Sequence, residues 1–214
     1  MFRYRTVQRE GSAERTIEKS KFIGYVRPVE TREEAEAFFE EIRSMHRGAT
    51  HNVPAMVIGE AFNLQWASDD GEPQGTSGAP MVQMLVKEGI TNAAIMVTRY
   101  FGGIKLGTGG LVRAYTGTAK AALEAAGLCQ VREMDILKIK MDYSCYAKLQ
   151  NLAGEGAFQI RDAVFEDMVI LNLAAEPERL GEVRGIVSNL TAGQGIELGI
   201  ARELVHIPEL SKTE

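Results

Sequence analysis

Long apolar runs are missing from this sequence. No stretch approaches the ~18 uninterrupted apolar residues of a membrane span. Cysteine is scarce: Cys129 and Cys145 are the two in 214 residues. They are too few for a disulfide framework and do not stand at metal-ligand spacing. The first residues, MFRYRTVQREGSAERTIEKSKF, are studded with charge and have no apolar core. They predict no secretory signal, and two reduced thiols fit a cytoplasmic protein. An excess of positive charge is also lacking. Lys and Arg number 24 against 29 Asp and Glu, a net of −5, which excludes coating of nucleic acid by bulk charge. What is present is ordinary for a folded protein: 45% hydrophobic and 25% charged residues, which excludes intrinsic disorder. The length admits one large domain or two small ones.

The charge is unevenly placed. Residues 1–127 hold 15 bases and 15 acids, whereas residues 128–214 hold 9 bases and 14 acids. The whole deficit therefore lies in the C-terminal part, which predicts little positive charge from it. Between Gly48 and Val86 stand four acids (Glu60, Asp69, Asp70, Glu72) and no Lys or Arg. Between Gly89 and Leu123 stand four bases (Arg99, Lys105, Arg113, Lys120) and no Asp or Glu. Two readings follow: the windows neutralise each other in the fold, or the basic one forms a cleft for an anion.

Two alternating stretches, Tyr4–Glu10 and Arg15–Val29, flank Glu10-Gly11-Ser12 and predict a hairpin turned there. Thr31 followed by Glu34 is a capping box, and Ala35, Phe38, Phe39 and Ile42 then share one helical face. Strands are expected over Asn52–Ile58, Phe62–Trp66 and Ala93–Thr98, with helices over Pro80–Lys87 and Leu111–Ala126. Beyond a boundary at Gly127–Glu133 the order is strand, helix, strand, strand, helix, strand. That order is the ferredoxin-like, split βαβ signature. The expected fold class is α+β, with domains at residues 1–130 and 131–214.

Glycines 102, 103, 107, 109 and 110 lie within nine residues and lead into a helix. Glycine lets backbone amides approach a ligand, and amides at a helix N-terminus attract anions. There is no Walker or dinucleotide fingerprint here. Arg99, Gly102, Gly103, Lys105, Gly107, Gly109, Gly110 and Arg113 are the expected anion- or nucleic-acid-binding set. The loop from Ser68 to Pro80 is all turn chemistry, and long ordered loops are usually functional. Its Asp69, Asp70 and Glu72, with His51, are expected to support the glycine segment by charge-assisted hydrogen bonds. The same three carboxylates suit a divalent cation less well, since the EF-hand spacing is absent. Trp66, Tyr100 and Phe101 are aromatics that either stack bases or belong to the core. No catalytic set assembles, and no metal or cofactor is expected.

Several segments together resemble the YigZ/Impact family. They are Lys19–Ile23, Ala49–Asn52, Ser68–Met81, and above all Arg99-Tyr100-Phe101-Gly102-Gly103-Ile104-Lys105-Leu106-Gly107-Thr108-Gly109-Gly110-Leu111-Val112-Arg113-Ala114-Tyr115. The motifs cover about residues 15–127, and the remainder is similar to the bacterial C-terminal domain of that family in length and element order. The resemblance implies an N-terminal domain of the ribosomal protein S5 domain-2-like fold, as in elongation factor G domain IV. It also implies a ferredoxin-like C-terminal domain similar to elongation factor G domain V. Eukaryotic Impact members act in translational control, through the activator of the starvation-responsive initiation-factor kinase, and join the shared domain to a different N-terminal module, to which the resemblance does not extend. The function expected first is a non-enzymatic regulator of translation or stress response. Its expected partner is RNA or the ribosome, with a translation factor as a further partner and no membrane. The alternatives are an enzyme acting on a phosphorylated small molecule or nucleotide, and a protein–protein adaptor.

Overall fold

The structure, a computed structural model, describes residues 1–154 and 156–209. It is a mixed α+β chain with two antiparallel sheets. The chain divides into two compact units. One comprises Arg3–Val131 and the described residues from His206 on; the other comprises Met1–Phe2 and Arg132–Val205.

In the first unit the strands are β1 (Phe2–Val7), β2 (Gly11–Ile17), β3 (Ser20–Pro28), β4 (His51–Ile58), β5 (Leu64–Ala67) and β6 (Ala93–Tyr100). A five-stranded sheet runs in the order β2-β3-β6-β4-β5. Helix α1 (Arg32–Met45) covers one face, burying Phe38, Phe39 and Ile42 against Met56 and Met96. Helices α2 (Gly78–Lys87) and α3 (Gly107–Ala126) supply Met81, Leu85, Tyr115 and Ala119 to the core on the other face. With both faces covered, β4 and β6 are buried almost throughout. This is why they read as continuous apolar runs and not as alternating ones. Each large core side chain contributes roughly 1.5–3 kcal/mol by leaving water. The Thr31 capping box forms as expected: Glu34 N–H donates to the Thr31 hydroxyl at 3.2 Å.

The hairpin is not where alternation placed it. Gly11 begins β2, and the turn falls at Glu18 and Lys19, whose φ values are 45° and 62°. Ile17 then pairs with Ser20. Two non-glycine residues in left-handed conformation carry no sequence signature of the kind Asn-Gly would give.

The second unit follows the order β7 (Leu128–Met141), α4 (Tyr143–Ala153), β8 (Gln159–Phe165), β9 (Val169–Ala175), α5 (Leu180–Leu190) and β10 (Ile196–Pro208). A short 3-10 turn at Pro177–Arg179 precedes α5. Strands β7, β9 and β8 are neighbours in that order, and β10 also pairs with β7. Leu137, Ile139 and Met141 alternate toward Leu149, Val183 and Val187 of the helices. The intervening Lys138 and Lys140 stand opposite Asn172 and Ile170, on the open face of the sheet.

Candidate functional site

The register of the first sheet sets Arg99, near the end of β6, between Phe22 of β3 and His51 of β4. Arg99 is only 4% exposed. Its Nη1 donates to Glu72 Oε1 at 2.6 Å and its Nη2 to Ser20 Oγ at 3.3 Å. Tyr115 Oη donates to the same carboxylate oxygen at 2.7 Å. Burial, with the Glu72 carboxylate as hydrogen-bond acceptor, pushes the Tyr115 phenol far above the ordinary tyrosine range, so it remains a donor. His51 Nδ1 donates to the Asp70 carbonyl at 2.7 Å, leaving Nε2 3.8 Å from Glu72. The guanidinium lies 5.2 Å from the ring centroids of both Phe22 and Phe101. The expectation that Arg99 meets an external anion is therefore corrected: a central strand buries it, and Glu72 neutralises it.

The acidic loop is ordered largely by its own carboxylates. Asp69 accepts from the N–H groups of Gly75, Ser77 and Gly78 at 2.7–3.1 Å and from the Ser77 hydroxyl at 2.7 Å. Burial alone would raise its pKa, but these donors together hold it below the usual aspartate value. Asp70 Oδ2 accepts from Asn52 N–H at 2.6 Å. Of the three carboxylates, Glu72 alone reaches a base of the glycine segment, and that base is Arg99. Asp69 and Asp70 instead hold the loop itself and the start of β4. Among the described residues no group of His, Cys, Asp or Glu is placed to hold a metal ion.

The glycine segment leaves β6 along a tightly anchored path. Phe101 N–H donates to Thr50 Oγ1 at 3.0 Å and Gly102 N–H to Ser20 Oγ at 3.1 Å. A Cβ on Gly102 would lie 2.0 Å from the Lys19 carbonyl oxygen, so the hairpin tip and this loop touch backbone to backbone. Gly103 and Gly107 have φ of 88° and 70°, a region that favours glycine. The connection is sharp, but α3 begins at Gly107, earlier than the apolar pattern predicts. Gly107, Gly109 and Gly110 thus belong to its first turn. That turn contains no acid and receives no side-chain cap, so its amides meet no carboxylate of their own. The Arg113 guanidinium folds back over Gly109, 3.5 Å from where a Cβ would stand. Lys105 and Arg113 are exposed, and neither has an ion pair among the described residues.

Two further bases belong to this surface and escape sequence reasoning. Arg15 of β2 lays its guanidinium 2.6 Å from the position a Gly117 Cβ would take, on the stripe of α3 that also contains Gly109 and Arg113. Lys19 is exposed at the hairpin tip touching Gly102, next to the equally exposed Glu18. Only the packing of β2 against α3 brings them here, and no local motif announces that.

Other candidate chemistry is satisfied internally. His46 is bonded on both ring nitrogens, to Tyr25 Oη at 2.7 Å and Tyr100 Oη at 2.9 Å. Burial, and then nearby Lys21, lowers its pKa. Cys129 Sγ lies 3.8 Å from His206 Nδ1, but burial pushes its thiol up, which opposes a nucleophilic thiolate. In the second unit, Lys138 and Arg161 line an open groove of about 370 Å³ on the sheet face. Neither they nor Lys140 has an ion pair among the described residues. Asp162 and Glu203 line the same groove, so its bases are matched by as many acids. Among the described residues no helix is long and apolar enough to cross a membrane.

Comparison with known proteins places this geometry in a family. The Impact N-terminal domain matches residues 18–123. IMPACT family member YvyE of Bacillus subtilis is 38% identical over 191 residues, covering 89% of this chain and 88% of that protein. IMPACT family member YigZ of Escherichia coli is 32% identical over 179 residues, covering 83% of this chain and 88% of that protein. A solved structure titled as a crystal structure of an hypothetical protein is 30% identical, with a TM-score of 0.59. The match covers 95% of this chain and 100% of that one. The glycine segment, its Arg99–Glu72 anchor and the first turn of α3 all lie within the matched domain, and the chain belongs to the IMPACT family.

Proposed function

We propose that this protein is a non-enzymatic, cytoplasmic regulator of translation or stress response that binds RNA or the ribosome through its glycine segment. The observation that carries the reading is the exposed start of α3. Lys105 and Arg113, free of ion pairs among the described residues, flank a helix turn with no acid and no side-chain cap. Backbone amides, a helix dipole and two free cations suit phosphate oxygens. Arg15 and Lys19 extend the same positive surface. A net charge of −5 does not oppose this, because phosphate contacts depend on local charge.

The same reading takes the first unit as S5 domain-2-like and the second as ferredoxin-like, with a translation factor as a further partner. The strand order β10-β7-β9-β8 with two helices on one face supports the second assignment. An enzyme acting on a phosphorylated small molecule is less well supported. Asp69, Asp70 and Glu72 all accept hydrogen bonds from the protein itself.

The test is RNA affinity measured across a salt series. Lys105→Ala with Arg113→Ala should lower the slope of log K against log salt by roughly 1.5–2 units and leave the thermal midpoint unchanged. A wild-type protein that binds no RNA at low salt would sink the reading.

A further inference from the structure

We propose that Phe101 is a base-stacking residue, which makes single-stranded RNA the ligand class of this site. The inference rests on the RNA reading above and narrows it. Phe101 is 46% exposed at the point where the chain leaves β6. Its backbone is tied down by the Thr50 hydroxyl, and its ring rests against the Arg99 guanidinium. That guanidinium is immobilised in turn by Glu72, Ser20 and Phe22. An exposed aromatic ring is thus seated on a buried cation that Glu72 and Ser20 anchor, and does not swing freely.

The other aromatics considered for stacking are already engaged. Trp66 packs against Phe39 with centroids 6.2 Å apart. The Tyr100 hydroxyl is bonded to His46. No aromatic ring pairs with Phe101 among the described residues. The next exposed side chains along the segment are Ile104, 38% exposed, and Lys105. An apolar, pre-positioned ring followed by a cation and a helix N-terminus matches one nucleotide unit: a flat base beside its phosphate. In a duplex the base faces are already stacked on neighbours, so the ring gains a partner only from an unpaired strand.

The experiment compares a labelled single-stranded oligoribonucleotide of about ten nucleotides, a span one small domain covers, with its duplex. Wild type should bind the single strand more tightly. Phe101→Ala and Phe101→Leu should each lose roughly 5- to 150-fold on the single strand and little on the duplex. Phe101→Trp should retain the affinity. The salt slope should be unchanged in all three, because stacking displaces no counterions. Circular dichroism and melting establish that each variant is folded; Leu keeps apolar bulk over Arg99 should Ala prove too disruptive. A wild-type protein that prefers duplex, or a folded Phe101→Leu variant that binds the single strand like wild type, overturns the proposal while RNA binding itself stands. Loss of binding to both RNAs in the wild type overturns the RNA reading and this proposal together.

Discussion

Replacing Arg99 by Met tests whether this arginine is an internal counter-ion and not a surface contact. In the folded protein Arg99 and Glu72 side chains are 5% and 3% exposed and 2.6 Å apart. Removing the cation leaves a buried carboxylate with, among the described residues, only the Tyr115 hydroxyl in hydrogen-bond contact and His51 at 3.8 Å. Breaking a buried pair this way costs about 3–5 kcal/mol, against roughly 0–1 kcal/mol for an exposed pair such as Arg32–Glu36. With a urea m-value of about 2 kcal/mol/M, the midpoint should fall by about 1.5–2.5 M. The single tryptophan, Trp66, lies in the first unit, so its fluorescence reports on the unit that contains the pair. The intact pair is not ideally compensated, because Arg99 Nε is buried without a hydrogen-bond partner among the described residues. Removing Arg99, Glu72 and Tyr115 together as Met, Leu and Phe should therefore restore most of the lost stability. An Arg99→Met midpoint within about 0.5 M of wild type, equivalent to about 1 kcal/mol, would refute the claim that this charge is buried and paired.

Asp69→Asn should destabilise the first unit by about 1–3 kcal/mol at neutral pH by unmaking the acceptor of the loop. Since the folded-state pKa of Asp69 is depressed, its contribution is fully present above the unfolded value near ~3.9 and vanishes as pH falls through the folded one. The wild-type and variant melting curves should therefore differ most above about pH 5 and converge in acid; a constant gap down to the acid limb would count against the assignment. Gly102→Ala should cost about 3 kcal/mol, because its Cβ meets backbone atoms of Lys19 and Ser20 that cannot swing away. Gly109→Ala faces only the Arg113 side chain at 3.5 Å and should stabilise α3 by about 0.5–1 kcal/mol; equal thermal shifts for the two variants would contradict the separation of roles within the glycine run.

The fold was legible where local chemistry dominates. The α1 capping box, the apolar stripe of Phe38, Phe39 and Ile42, and the strand, helix, strand, strand, helix, strand order of the second unit all appear as the residues imply. It was less legible where tertiary packing decides. Glu18 and Lys19 form a turn with ordinary residues, and β4 is apolar on both faces because helices cover both.

The candidate site shows the same limit within one acid-free window. Arg99 and Arg113 are fourteen positions apart and carry the same side chain, yet topology gives them opposite tasks. Arg99 sits in a strand with neighbours on both sides, so its charge must be answered inside the protein. The answer comes from Glu72, in the base-free loop, and it fixes that loop against β6. Arg113 sits one helical turn after Gly109 on an exposed stripe of α3, where no acid among the described residues pairs with it. Neutralisation at Arg99 and the proposed anion binding at Lys105 and Arg113, which the charge pattern poses as alternatives, thus fall to different residues. Burial is what sorts them: the buried cation builds the platform on which Phe101 rests, and the exposed ones are those proposed to meet a phosphate. Changing Arg99 should therefore alter stability and the seat of Phe101, whereas changing Lys105 and Arg113 should alter the salt dependence of binding alone.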